Sequence, residues 1–226
     1  MRTAELAGEV GWRRTDLLEP LARKVGGWAI AADLTDRDSI FESLARAGAV
    51  DVLVADAALP AIGLLDEFRL DETDRALEVN LGAPIMMAEL VALDMIARCR
   101  GHLVFISSLS GMTASVRSSL YNATKFGPRG FALGLRADLR PHHVGVSIVF
   151  PGYISDAGHV RQFPCEAPPG IGARSPRDVA RATARAIEQN TAEVAVAPPG
   201  LRLLGAVARG LTAAIQRGVG TEQVTR

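Results

Sequence analysis

Short apolar runs that do not alternate with polar residues recur along this chain, and longer stretches with helical spacing separate them. The runs are 28–32, 51–55, 102–106, 144–150 and 193–197. Unbroken apolar runs of this length predict strands buried on both faces. Helical spacing covers 16–25, where Leu17, Leu18, Leu21 and Val25 share one face and Gly26 with Gly27 forms the stop. It recurs over 38–47, with Thr35 as the expected cap, over 71–98, and from Tyr121 to about Leu139, with Pro128 as a candidate bend. A further helix is predicted from Ser175, with Pro176 in its first turn, and a last one over 201–217. Residues 1–14 are weakly patterned, interrupted by Gly8 and Gly11, and predict no element. Strands alternating with long helices predict one α/β domain over 1–226, a doubly wound, mostly parallel sheet with helices on both faces.

Tyr121 and Lys125 stand four apart at the start of a predicted helix, just after the run 102–106. That spacing puts a phenol and an ammonium on one helical face, near the carboxyl end of a strand, where open α/β sheets bind ligands. A fixed cation favours phenolate and lowers a phenol's pKa from its usual value near ~10. A phenol tuned in this way can exchange a proton with a carbonyl or carbinol oxygen. Ser108, at the end of the run, could hydrogen-bond the same oxygen. A Tyr and a Lys at this spacing also occur by chance on many helices, so the pair needs company to carry a function.

Composition narrows the class. The 226 residues are 48% apolar, enough for a sizeable core, and 25 basic residues balance 25 acidic ones. No basic field argues for nucleic acid. Cys99 and Cys165 suggest a reduced compartment rather than a disulfide framework. No run of 18 uncharged apolar residues occurs, so no membrane span is expected. Glu5 and Glu9 fall where a signal peptide needs an apolar stretch, which makes the cytoplasm the expected location. His102, His142, His143 and His159 lack metal-ligand spacing; they are expected on the surface or in loops, and no metal is expected.

Five spaced motifs together resemble those of the short-chain dehydrogenase/reductase family, from about residue 16 to the last helix. Ser108, thirteen residues before Tyr121, is similar to the family's catalytic serine. Tyr121 with Lys125 is similar to its YxxxK, and Asn80 to the fourth member of its tetrad. Pro151-Gly152 is similar to its turn after the sixth strand, and Asp33 to its acidic residue at the adenine. The resemblance implies a Rossmann-like fold and an NAD(P)-dependent oxidoreductase that interconverts a carbonyl and an alcohol on a small-molecule substrate. It implies Tyr121 as acid/base and Lys125 as the group that lowers its pKa and holds the nicotinamide ribose. Ser108 would polarise the substrate oxygen, and Asn80 would anchor a proton-relaying water. Cofactor contacts are implied at Asp33, Leu34, Asp56, Ala57, Tyr121, Lys125, Pro151, Gly152 and Ile154. Residues 153–175 would be the substrate lid, whose prolines and apolar residues suggest a hydrophobic substrate. A homodimer or homotetramer through the two long helices is implied as well. On residue chemistry alone, Asn80 could equally satisfy backbone groups at a helix bend, and Ser108 could cap a loop. Asp33 could be a turn residue, and Pro151-Gly152 a strand stop. The helix over 201–217 could lie on a membrane or a partner, although packing on its own core is commoner.

Two departures stand out. The family's Asn-Asn-Ala-Gly after the fourth strand reads Ala55-Asp56-Ala57-Ala58, and an ionised carboxylate at Asp56 cannot donate a hydrogen bond. The family's opening strand with TGxxxGxG, whose helix N-terminus holds the pyrophosphate, has no match here. Only 32 residues precede Asp33, whereas three strands with two crossovers need roughly 60. The expected fold is therefore N-terminally truncated by about one βα unit, and the strand over 51–55 is expected to have an unpaired buried edge. Three readings follow: a misplaced start, a weakly folded remnant, or a gap filled in another way by the N-terminal residues. If residues 1–14 keep the tail of the second strand, Arg13 and Arg14 sit where a 2′-phosphate would bind, which favours NADP over NAD. A solvated basic turn explains the same two residues. The alternative to an enzyme is a non-catalytic relative with impaired dinucleotide binding that acts through partner binding.

Overall fold

The computed structural model describes residues 5–7, 15–155 and 172–198. In chain order the elements are β1 (Glu5–Ala7), α1 (Thr15–Val25), β2 (Ala29–Ala31), α2 (Arg37–Ala47), β3 (Val52–Ala55), α3 (Leu70–Leu77) and α4 (Ala83–Ala97). They continue with β4 (Gly101–Ile106), α5 (Ser119–Leu139), β5 (Val144–Pro151), α6 (Pro176–Glu188) and β6 (Glu193–Val196). Every strand pair is parallel, in two hydrogen-bonded sheets: β1-β2 and β3-β4-β5-β6. The doubly wound Rossmann-like α/β fold is the one that the apolar runs predicted. The final helix over 201–217 and His159 and Cys165 lie outside the described residues.

Alternation along the central strands explains the two layers. Leu103 and Phe105 of β4, with Val146, Ile148 and Phe150 of β5, face one way, into a core closed by Ile40 and Leu44 of α2, Met87, Val91 and Met95 of α4, and Ala132 of α5. Val104 and Val149 face the other way and meet Val179, Ala182 and Ile187 of α6. The edge-to-face pair of Phe105 and Phe131, 5.6 Å between centroids, pins α5 to the first face. At the far side of that face, Arg98 at the end of α4 reaches Asp51 at 2.6 Å and the Val50 carbonyl at 2.8 Å, tying helix to strand.

Several expectations change. Residues 5–7 pair with β2, with Leu6 opposite Ile30, although three residues without a clear pattern gave no signal. The cap of α2 is Asp36, whose carboxylate accepts from the Asp38 N–H. Thr35 instead gives its hydroxyl to Asp33 at 2.7 Å, inside the turn. Val25 is 52% exposed and so leaves the apolar face assigned to it. Pro128 sits within an uninterrupted α5. The predicted helix over 71–98 is divided by a π turn, Glu78–Gly82. By length and composition Leu70–Ala97 would pass as membrane-spanning, yet half of its most apolar window is buried in the protein, which accounts for that hydropathy as a core helix. Among the described residues the strand β3 is an edge of its sheet, and Val54 upon it is 41% exposed, so the edge is not wholly dry.

His102 is not a surface residue. It lies in β4 at 7% exposure, and its Nε2 is 2.8 Å from Ser147 Oγ. The Ser147 hydroxyl donates to the Thr191 carbonyl at 2.6 Å, so the proton between His102 and Ser147 belongs to Nε2. Gly145 makes room for the ring, since a Cβ there would overlap His102 Nδ1. Burial, and then the charge of Arg136, push the imidazole down to about 4 from its ordinary 6.5. The unfolded chain therefore binds a proton that the folded chain refuses between those two values. That part of the stability is complete above about pH 6.5 and is lost as pH falls toward 4. Urea midpoints measured across this window should fall with acidification and should fall less in His102→Gln; parallel curves would count against the assignment.

Candidate active site

The site grows from the end of β4. After Ile106 the chain leaves the sheet through Ser107 and Ser108 into a 3-10 turn, Leu109–Gly111, and returns as α5. Three contacts fasten this loop to the helix. Ser107 Oγ donates to the Lys125 carbonyl at 2.9 Å. Gly111 passes so close to that carbonyl that a Cβ would overlap it, so the residue there must lack one. Asn122 donates to the carbonyls of Ser110 at 2.6 Å and Thr113 at 3.1 Å, and accepts from the Ser115 N–H at 3.3 Å. The helical spacing of Tyr121 and Lys125 then sets both side chains beside the strand end, at 8% and 5% exposure.

Lys125 Nζ lies 5.8 Å from the centre of the Tyr121 ring and 3.5 Å from the Ile106 carbonyl. Burial drives the ammonium down to about 8, and the charge of Asp56 acts against that fall. The phenol departs from the expectation: it is raised, not lowered. Burial costs the phenolate more than its hydrogen bond with Ser108 returns, and Lys125 stands by the ring. Ser108 also receives the Ser110 N–H at 3.2 Å, which sets its side chain at the mouth of the loop.

Asn80 sits in the π turn at 3% exposure. Its amide clamps the loop after β3: Oδ1 accepts from the Leu59 N–H at 2.6 Å, and Nδ2 donates to the Leu59 carbonyl at 2.9 Å. A longer contact, 3.4 Å, joins it to Thr124 Oγ1, whose hydroxyl donates to the Tyr121 carbonyl. Asn80 is thus linked to the Tyr/Lys helix through Thr124. The wider π turn supplies the bulge from which the amide reaches sideways.

The other expected residues fall into groups. Asp56 and Ala57 follow β3 directly. Pro151 ends β5, and the Gly152 N–H donates to the Val196 carbonyl at 3.0 Å. Ile154 bridges to Arg174, which holds together the two ends of the stretch expected to be the lid; residues 156–171 lie outside the described residues. Asp33 follows β2 of the two-stranded sheet, and its carboxylate accepts from the Thr35 N–H at 2.9 Å, a turn role that one of its readings allowed. Leu34 is 3% exposed and packs in the core. Arg13 and Arg14 lie outside the described residues. Sequence reasoning missed Ser107, Gly111, Asn122 and Thr124. A signal existed for two of them: Asn122 and Thr124 are polar residues inside the YxxxK segment, at positions that bury.

Residues 12–164 match the model of the short chain dehydrogenase family. The chain belongs to the short-chain dehydrogenase family. Among relatives, it is 30% identical over 180 residues to ketoacyl reductase HetN of Nostoc sp., a match covering 77% of this chain and 63% of that protein. The chain therefore spans less than two thirds of that relative's length. A metagenomic short-chain oxidoreductase solved in complex with NADP is 31% identical and superposes with a TM-score of 0.68, over 83% of this chain and 84% of the other. A short-chain dehydrogenase from Sphingobium yanoikuyae, solved with NADPH, shares the fold at a TM-score of 0.76 and 19% identity, over 93% and 87% of the two chains. Among the described residues, no group of three His, Cys, Asp or Glu side chains is placed to hold a metal ion.

Proposed function

We propose that the chain is an NAD(P)-dependent oxidoreductase that interconverts a carbonyl and an alcohol, with Tyr121 as acid/base. The observation that carries this reading is the meeting of Ser108, Tyr121 and Lys125 at the carboxyl end of β4, with Ser108 hydrogen-bonded to the phenol. Family membership and the naming of a relative as a ketoacyl reductase support it.

The residues present fit the nicotinamide half of the cofactor. A buried ammonium 3.5 Å from the Ile106 carbonyl has further N–H donors to offer a ribose diol. Lys125 and Tyr121 would hold that ribose, and Pro151, Gly152 and Ile154 would flank the ring. Asp33, Leu34 and Ala57 would lie toward the adenine. The bound nicotinamide supplies or takes the hydride. The chain's own part is to orient the carbonyl with Ser108, exclude water, and deliver or remove a proton at the Tyr121 hydroxyl. The raised phenol keeps its proton at neutral pH, which suits donation to a carbonyl oxygen. NADP is favoured by the NADP-bound relative. A homodimer or homotetramer through α4 and α5 is part of the reading, since Leu93 and Phe126 stand 71% and 40% exposed there.

Titration of the purified chain with NADPH, read by fluorescence, tests the proposal. Saturation in the micromolar range is expected. No binding at millimolar NADPH would remove the oxidoreductase reading and leave the non-catalytic alternative, which no present observation favours.

A further inference from the structure

The register of the sheet places one residue where the family's pattern has a neutral amide. Ala55 of β3 lies opposite Phe105 of β4, so Asp56 comes level with Ile106. The Ile106 carbonyl is the atom that Lys125 Nζ approaches at 3.5 Å. The Asp56 backbone therefore lies at the strand tips near the carbonyl that Lys125 approaches, and its charge is felt at the buried ammonium.

We propose that Asp56 is a positioning residue that keeps Lys125 in its charged form, a role that rests on the oxidoreductase reading for its use but not for its existence. A lysine at 5% exposure would lose its proton readily without an opposing charge. Burial does lower Lys125, to about 8, and the Asp56 charge opposes the fall. Among the described residues, the charged and titratable groups on the elements packed around Lys125 are few. On its own helix, Tyr121 holds its proton at neutral pH. Arg129, one turn on, is taken by Glu193 of β6 at 2.6 Å. The π turn brings Asn80, and the loop after β4 brings Ser107 and Ser108, none of which changes charge in this range. Among the described residues, Asp56 is thus the anionic group that opposes the lysine's loss of its proton. Above its pKa the lysine is a neutral amine, and it holds a ribose hydroxyl more weakly.

The chain has only two lysines, Lys24 and Lys125, so an NMR titration of protein labelled at the lysine ε-carbon shows two resonances. Lys24→Arg assigns them. In the native sequence the Lys125 resonance is expected to titrate near 8. In Asp56→Asn its midpoint should fall by about one pH unit, while that of Lys24 stays in place. Asp56→Glu should restore most of the difference, which a merely structural role for Asp56 would not require. Should Asp56→Asn fail to fold, Asp56→Ser carries the same comparison. In turnover, the basic limb of the kcat/KM profile should move down in pH with the NMR midpoint. An unmoved Lys125 midpoint overturns the proposal. A moved midpoint in a chain that never turns over NADPH upholds the pairing and overturns the oxidoreductase reading instead, so the two failures are distinguishable.

Discussion

Tyr121→Phe should lower kcat by roughly 10²–10⁴-fold while leaving NADPH affinity nearly unchanged. The substitution removes one oxygen and keeps the ring. Packing against Ala61, Ala76 and Leu120 is retained, so the fold should persist. The lost oxygen is the one hydrogen-bonded to Ser108, and it is the proton carrier in the proposed reaction. Stopped-flow and steady-state assays with NADPH and a panel of ketones would measure the effect, with fluorescence titration reporting affinity separately. Turnover within threefold of the native rate would take Tyr121 out of the chemistry.

Arg129→Ala should destabilise the fold by about 3–5 kcal/mol. Arg129 and Glu193 have side chains only 10% and 12% exposed, joined at 2.6 Å, and the guanidinium lies 5.8 Å from the centre of the Phe150 ring. Truncating the arginine leaves Glu193 charged in a place with little water. It also removes the fastening of α5 to β6, two turns from Tyr121. Replacing both partners with apolar residues, as in Arg129→Met with Glu193→Leu, should cost far less than the sum of the single changes, because no lone charge remains. Urea unfolding of the four species closes the cycle. Additive effects would show that the pair is not coupled.

The central strands were legible because burial on both faces demands unbroken apolar runs, and β4 and β5 have them. Two adjustments at α2 and α3–α4 were not legible. Thr35 and Asp36 are both good caps by type, and only the turn made by Asp33 decides between them. The π turn at Asn80 leaves helical periodicity almost intact, since one added residue shifts the pattern by a single step. β1 was missed because three residues cannot display a period. His102 was misplaced because its polarity was weighed without Ser147, which lies 45 residues away and satisfies it.

By itself, the sequence determined the alternation of strand and helix, the parallel sheet, and the pairing of Tyr121 with Lys125, because these follow from spacing within one element. The tertiary structure alone decided that the phenol is raised rather than lowered, that Asn80 clamps Leu59, and that the Asp56 charge acts on Lys125. Charge states and clamps depend on burial and on partners from other strands, and the distance along the chain carries no record of either.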